Sequence, residues 1–104
     1  MTFSKQQKQE IKQAIVDCLR LESEITKIVI FGSFLSSNNP NDIDVAIFQD
    51  SSERFLTLAM KYRAKTRSVA NKIPLDIIPL KSQPGKNYIL SEIDAGEIIY
   101  ERRN

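Results

Sequence analysis

Apolar positions recur through the first part of the chain at Ile11, Ala14, Ile15, Cys18 and Leu19, the i, i+3, i+4, i+7, i+8 spacing of one helical face. The spacing predicts a helix from about Ser4 to Leu21, with Cys18 on its inner side as a small hydrophobe. The period then changes. Thr26-Lys27-Ile28-Val29-Ile30-Phe31 is rich in β-branched and aromatic residues and stops at Gly32, which reads as a buried strand. Ser36-Ser37-Asn38-Asn39-Pro40-Asn41 is turn chemistry, and Asp42-Ile43-Asp44-Val45-Ala46-Ile47-Phe48 is a second strand. A connection this short pairs the two strands side by side and antiparallel.

Asp50 or Ser51 is the expected N-cap of a second helix that runs to about Asn71, with Phe55, Ala59, Tyr62, Thr66 and Val69 along its apolar side. Leu75-Asp76-Ile77-Ile78-Pro79-Leu80 is a third strand, and Pro79 puts it at an edge or near its own end. Ser82 to Lys86 reads as a loop, and Asn87 to Ala95 as a short helix capped by Gly96. Tyr62 and Tyr88 read as core or partly buried residues, and Glu97-Ile98-Ile99-Tyr100 closes the fold. The order helix, strand, strand, helix, strand, helix predicts an α/β, two-layer domain in which helices pack on a small mixed sheet. No repeat, low-complexity tract or linker divides the sequence, so a single domain over residues 1–104 is expected.

Composition narrows the chemistry more than it identifies it. Histidine is absent and Cys18 is the lone cysteine, so no Ser-His-Asp or Cys-His system and no His/Cys zinc site can be assembled. Carboxylates, hydroxyls, Lys and Arg remain, with whatever metal they recruit. The single cysteine, the polar first ten residues and the lack of any apolar run of membrane-span length lead to the expectation of a cytoplasmic protein without a membrane partner.

Three aspartates stand where strand chemistry disfavours them. Asp is depleted in strands because its short side chain competes for backbone hydrogen bonds, yet Asp44 and Asp76 lie inside apolar runs and Asp42 opens one. Residues i and i+2 of a strand share a face, about 7 Å apart along the chain. Asp42 and Asp44 therefore project together, with Ile43, Val45 and Ile47 turned to the core. Asp76 joins them if the third strand pairs nearby. Asp42, following Asn39-Pro40-Asn41, also reads as a simple turn residue; Asp44 does not. Converging carboxylates repel unless a cation sits between them, and hard divalent ions such as magnesium take this all-oxygen environment. Just upstream, Gly32 lets backbone amides approach a phosphate closely, and the Ser33 hydroxyl can hydrogen-bond it.

Ile30-Phe31-Gly32-Ser33, eight intervening residues, then Asp42-Ile43-Asp44-Val45 resembles the Gly-Ser…Asp-x-Asp signature of the polymerase-β-like nucleotidyltransferase superfamily. The length is similar to that of its minimal, MNT-type members. The apolar strand bearing Asp76 and the ending Ile93-Asp94-Ala95-Gly96-Glu97-Ile98-Ile99-Tyr100 extend the resemblance over roughly residues 11–100. It implies transfer of a nucleoside monophosphate from a nucleoside triphosphate such as ATP to a protein or small-molecule acceptor, with release of pyrophosphate. By the same resemblance, Gly32 and Ser33 would bind the triphosphate and Asp42 and Asp44 would ligate two magnesium ions. Asp76 would help hold one ion and act as general base, which makes Asp44 and Asp76 the expected catalytic residues. Small members are often encoded beside an all-helical HEPN protein, as the antitoxin of a toxin–antitoxin pair. One departure stands out: many members follow Gly-Ser with a basic Ala-Arg-Gly-like turn, where this chain has Phe34-Leu35-Ser36-Ser37 and a spacing two residues shorter.

Two functions lead, an active nucleotidyltransferase or an antitoxin-like binding module that neutralises a HEPN-like partner by contact, with a basic nucleic-acid-binding domain that uses the fold only as scaffold a distant third. The aspartate triad favours the first and the altered turn the second. A homodimer or heteromer is expected in either case, because so small a domain leaves apolar surface that larger relatives cover. Arg54, Lys61, Lys65 and Lys72 fall within a narrow stripe at about 100° per residue. They read first as a solvated face whose stems cover apolar surface. No aromatic residues interleave with them, so nucleic acid is not an expected partner.

Overall fold

The computed structural model describes residues 2–82 and 89–102. The loop expected beyond Ser82, the first residues of the helix expected from Asn87, and Tyr88 lie outside them. Helix α1 (Lys5–Leu19) starts where the sequence supplies a capping box. The Ser4 hydroxyl accepts from the Gln7 amide at 3.1 Å, and the Ser4 amide donates to Gln7 Oε1 at 2.7 Å. Two of the amides that a helix start leaves unpaired are thereby satisfied. The helix buries Ile11, Ile15 and Leu19, and Ala14 and Cys18 pack partly buried beside them.

Strand β1 (Ile25–Phe31) leads through helix α2 (Ser33–Ser36) into β2 (Ile43–Gln49). Helices α3 (Phe55–Lys65) and α4 (Arg67–Ala70) precede β3 (Leu75–Lys81), and α5 (Ile89–Asp94) precedes β4 (Glu97–Glu101). The sheet order is β3-β2-β1-β4, with β1 antiparallel to β2 and β4, and β2 parallel to β3. The sheet is mixed, as expected, and the strand carrying Pro79 is an edge. One face presents Ile28, Ile30, Ile43, Val45, Ile47 and Ile77 to α1, α3 and α4, and forms the main core. The other presents Val29, Phe31, Ala46 and Phe48, against which Ile93 of α5 packs. Strand alternation thus sends even-numbered positions of β2 to the α5 side.

Several local expectations are corrected. The second helix begins at Phe55 rather than after Asp50 or Ser51, and Arg54 gives it no side-chain cap. The polar groups before it are spent on a turn: the Ser51 hydroxyl accepts from the Glu53 amide, and buried Gln49 accepts from the Ser51 amide while donating to the Leu80 carbonyl. Phe55, placed on the apolar side from sequence, is exposed, and Leu58 takes its place in the core. The helix also breaks at Thr66. Its hydroxyl donates to the Tyr62 carbonyl at 2.8 Å, the back-bonding that bends helices, and its backbone leaves helical geometry. Arg54, Lys61, Lys65 and Lys72 consequently do not share one helix face. Gly96 ends α5 through its amide bond to the Ile93 carbonyl, but not by a left-handed turn. It is required because β4 crosses β1 so closely that a Cβ there would lie 2.5 Å from the Ile30 carbonyl oxygen.

A polar cluster joins the α1–β1 loop to α3. Lys61 Nζ lies 2.8 Å from Glu24 and 3.2 Å from Glu22, Lys65 lies 3.6 Å from Glu22, and the fully buried Tyr62 donates its hydroxyl to Glu24 at 2.8 Å. Lys61 and Lys65 are thus held by carboxylates of the same chain. Partial burial pushes the Glu24 carboxyl up, but hydrogen bonds from Lys61, its own backbone and Tyr62 together outweigh it and leave it below the ordinary value of 4.5. The hydrogen bond to Glu24 raises Lys61, and burial raises Tyr62. For a depressed carboxyl the stabilisation is complete above its unfolded value and disappears as pH falls through its folded value. Glu24→Gln is expected to lower stability by about 1–2 kcal/mol at pH 7. It should also flatten the loss of stability below pH 4.5, read as urea midpoints from pH 7 down to pH 3 in wild type and variant.

Candidate active site

Strand register builds the site. Phe31 of β1 lies opposite Asp44 of β2, and Asp44 lies opposite Asp76 of β3. Asp42 sits one residue before β2, in a segment tied to the next element by the Ile43 amide, which donates to the Pro74 carbonyl at 2.9 Å. Ile43, Val45 and Ile47 of β2 and Ile77 of β3 are buried, so the aspartates are turned to the α5 face by the same alternation that seats these apolar residues. One carboxylate oxygen from each of Asp42, Asp44 and Asp76 lies within 4.8 Å of the other two. Asp42 and Asp44 are half-buried, and Asp76, on the edge strand, is exposed.

Gly32 closes the site from the side of β1. It has φ +80° and ψ −159°, a conformation that non-glycine residues rarely adopt. Any Cβ built there would overlap the Asp44 carboxylate oxygen. Gly32 is therefore needed twice over, for the backbone angle and for the approach. Ser33 follows as the first residue of α2, with an exposed side chain. Helix α2 escaped sequence reading because four residues are too few to show a period. Its Phe34 is fully buried, and this is what pins the turn to the core.

The electrostatics are one-sided. Burial, then the charges of Asp42 and Asp76, a hydrogen bond with Asp76 and the charge of Glu92 all raise the Asp44 carboxyl above its ordinary value. Among the described residues, no Lys or Arg forms an ion pair with Asp42, Asp44 or Asp76. Glu92 of α5 was not among the residues singled out from sequence. Its helix was, but the side from which α5 meets the sheet carries no sequence signal. The donor set suits a hard divalent cation: oxygens facing each other across magnesium are about 4.2 Å apart, so a spread of 4.8 Å closes with small side-chain rotations. Gly32→Ala is expected to destabilise the fold by about 1–3 kcal/mol through backbone strain at the site, measured as a lowered urea midpoint. The far-UV circular dichroism should stay that of the wild type.

With this geometry in hand, comparisons with known proteins are specific. The family model described as "Polymerase beta, Nucleotidyltransferase" matches residues 13–104. No curated protein matches the sequence. Among solved structures, a chain of the toxin-antitoxin MntA-HepT crystal structure superposes with a TM-score of 0.62 at 20% identity, covering 90% of this chain and 73% of that one. A second is a chain of the tri-AMPylated Shewanella oneidensis HEPN toxin in complex with MNT antitoxin, with a TM-score of 0.61 at 21% identity, covering 91% and 73%. At these identities the likeness establishes a shared fold, and the family model establishes membership: the chain belongs to the polymerase-β nucleotidyltransferase family.

Proposed function

We propose that this chain is a magnesium-dependent nucleotidyltransferase that moves a nucleoside monophosphate from a nucleoside triphosphate onto a HEPN-like helical partner, acting as the antitoxin of the pair. The observation that carries the reading is the cluster of Asp42, Asp44 and Asp76 abutting Gly32, a cluster that forms no ion pair with a Lys or Arg among the described residues. Members of the family use a nucleoside triphosphate and a divalent metal. The two structural neighbours come from toxin–antitoxin complexes, one of them with an AMPylated HEPN toxin. Among the described residues no helix is long and apolar enough to cross a membrane.

Asp42 and Asp44 would hold two metal ions, with Asp76 completing the set. Bound there, divalent ions would supply charge neutralisation for the triphosphate and for the attacking and leaving oxygens. The chain's own tasks are positioning and proton transfer. Gly32 leaves the backbone open to the phosphates, and Ser33 offers a hydroxyl. Asp76, exposed on the edge strand, accepts the proton of the acceptor hydroxyl as its oxygen bonds to the α-phosphorus and pyrophosphate departs.

The second reading, neutralisation by contact, is favoured by one feature. Where a basic turn is expected after Gly-Ser, Phe34 is buried and Leu35 packs against the core. The two readings part experimentally. Magnesium or manganese at millimolar concentration is expected to raise the melting temperature of the wild type, through preferential binding to the folded chain. Asp44→Asn should lose most of that rise, and a wild type indifferent to both metals speaks against a metal site.

With α-labelled ATP, magnesium and the co-expressed helical partner, label is expected on the partner. Asp44→Ala should abolish transfer. Asp76→Ala should reduce turnover more than nucleotide binding, and Ser33→Ala should weaken binding by about 1–2 kcal/mol. Toxin neutralisation that survives Asp44→Ala would replace catalysis by contact as the function.

A further inference from the structure

The turn that carries Gly32 and Ser33 lacks a basic residue of its own, yet a lysine reaches it from elsewhere. Lys8 of α1 donates from Nζ to the Phe34 carbonyl at 2.7 Å and to the Ser37 carbonyl, 26 and 29 residues away in sequence. Its ammonium also lies 5.3 Å from the centre of the Phe34 ring. Phe3 reinforces the contact: its amide donates to the Asn38 carbonyl at 3.0 Å, and its ring packs 6.4 Å from that of Phe34. Lys8 is half-buried and takes no part in the ion pairs of the described residues, which engage Lys12, Lys61, Lys65 and Arg102. The turn is closed by backbone bonds from the Leu35 amide to the Gly32 carbonyl and from the Ser37 amide to the Ser33 carbonyl, at 3.3 and 2.8 Å. A single helical turn is a weak element by itself. Two charge-assisted bonds to its carbonyls are each stronger than either of those backbone bonds.

We infer that Lys8 is a positioning residue for the triphosphate, fixing from outside the turn the geometry of Gly32 and Ser33. Lys8 lies before residue 13, where the match to the family model begins, so family membership assigns it no role. The inference rests on the nucleotidyltransferase reading for its ligand, but its structural half stands on the bonds just described. Lys8 serves the carbonyl ends of α2 and not the phosphates. Its effect must therefore pass through the conformation of the turn.

The test uses the full chain with Lys8→Met, which keeps the stem and removes the donors, Lys8→Arg, which restores donors and charge, and Lys12→Met. The last removes an equal charge from the same helix but breaks only the pair with Glu97. Binding of a non-hydrolysable ATP analogue with magnesium is measured by calorimetry, and amide hydrogen exchange is followed at Leu35 and Ser37 without nucleotide. Lys8→Met is expected to bind the analogue about tenfold more weakly, close to 1.4 kcal/mol, and to exchange faster at both amides. Its metal-induced rise in melting temperature should match the wild type. Lys8→Arg should recover most of the affinity, and Lys12→Met should bind normally. Unchanged exchange or unchanged affinity in Lys8→Met overturns the inference, as does an equal loss in Lys12→Met. A wild type that fails to bind the analogue overturns the nucleotidyltransferase reading and the nucleotide role of Lys8 together. That outcome is recognisable because it needs no variant.

Discussion

Three carboxylates with oxygens within 4.8 Å of one another repel, and the rest of the chain has to hold them there. For the half-buried pair Asp42 and Asp44, the repulsion amounts to roughly 3 kcal/mol at an effective dielectric of about 20, and less where water screens it. Holding them together is the work of strand alternation. The same three-residue stretches that aim the aspartates outward bury Ile43, Val45 and Ile47 completely, at about 1.5–3 kcal/mol of stabilisation each. Burial on one face thus exceeds repulsion on the other. Slipping the register of β2 by one residue would turn Ile43, Val45 and Ile47 outward and Asp42 and Asp44 inward, so the fold and the site fail or survive together.

The long-range frame of this arrangement was legible because it rests on patterns several residues long. The α1 face, the three apolar strands, the antiparallel pairing of β1 with β2, and the edge position marked by Pro79 all follow from periodicity, short connections and missing donors. Asp44 and Asp76 stood out because they interrupt those patterns. What escaped was local or depended on a partner element. The start of α3 was misplaced because Ser51 and Gln49 satisfy a turn that has the same composition as an N-cap. The break at Thr66 is made by one hydroxyl. Gly96 looked like a helix cap, and its real constraint, the Ile30 carbonyl 2.5 Å from a would-be Cβ, lies across the sheet. Glu92 and Lys8 reach the site region from helices whose approach to the sheet no single-chain pattern encodes.

Glycine 32 ties the two kinds of information together. Its identity was readable as a strand stop, but not the reason that no other residue serves. The reason is steric contact with Asp44 on the neighbouring strand, combined with a positive φ. Any side chain there would displace the aspartate that both other carboxylates contact electrostatically. The turn and the acid cluster are therefore one unit in space although they are separated by the whole Ser36–Asn41 connection in sequence.

Under the proposed function, the placement of the three acids across the sheet would also divide their tasks. Asp44 sits on an inner strand, paired on one side with Phe31 and on the other with Asp76, and neighbours on both sides restrict its motion. Asp76 occupies the edge strand and is exposed, so a large acceptor can reach it without displacing any element of the fold. A small-molecule enzyme gains from enclosing its base, since exclusion of water strengthens every charge interaction in the site. An enzyme whose acceptor is another folded protein has the opposite need: its base must stand on an open rim, and the partner's own surface must exclude the water. An edge-strand Asp76 beside a half-buried Asp44 meets that second requirement, which is why the proposed acceptor is a protein surface rather than a metabolite.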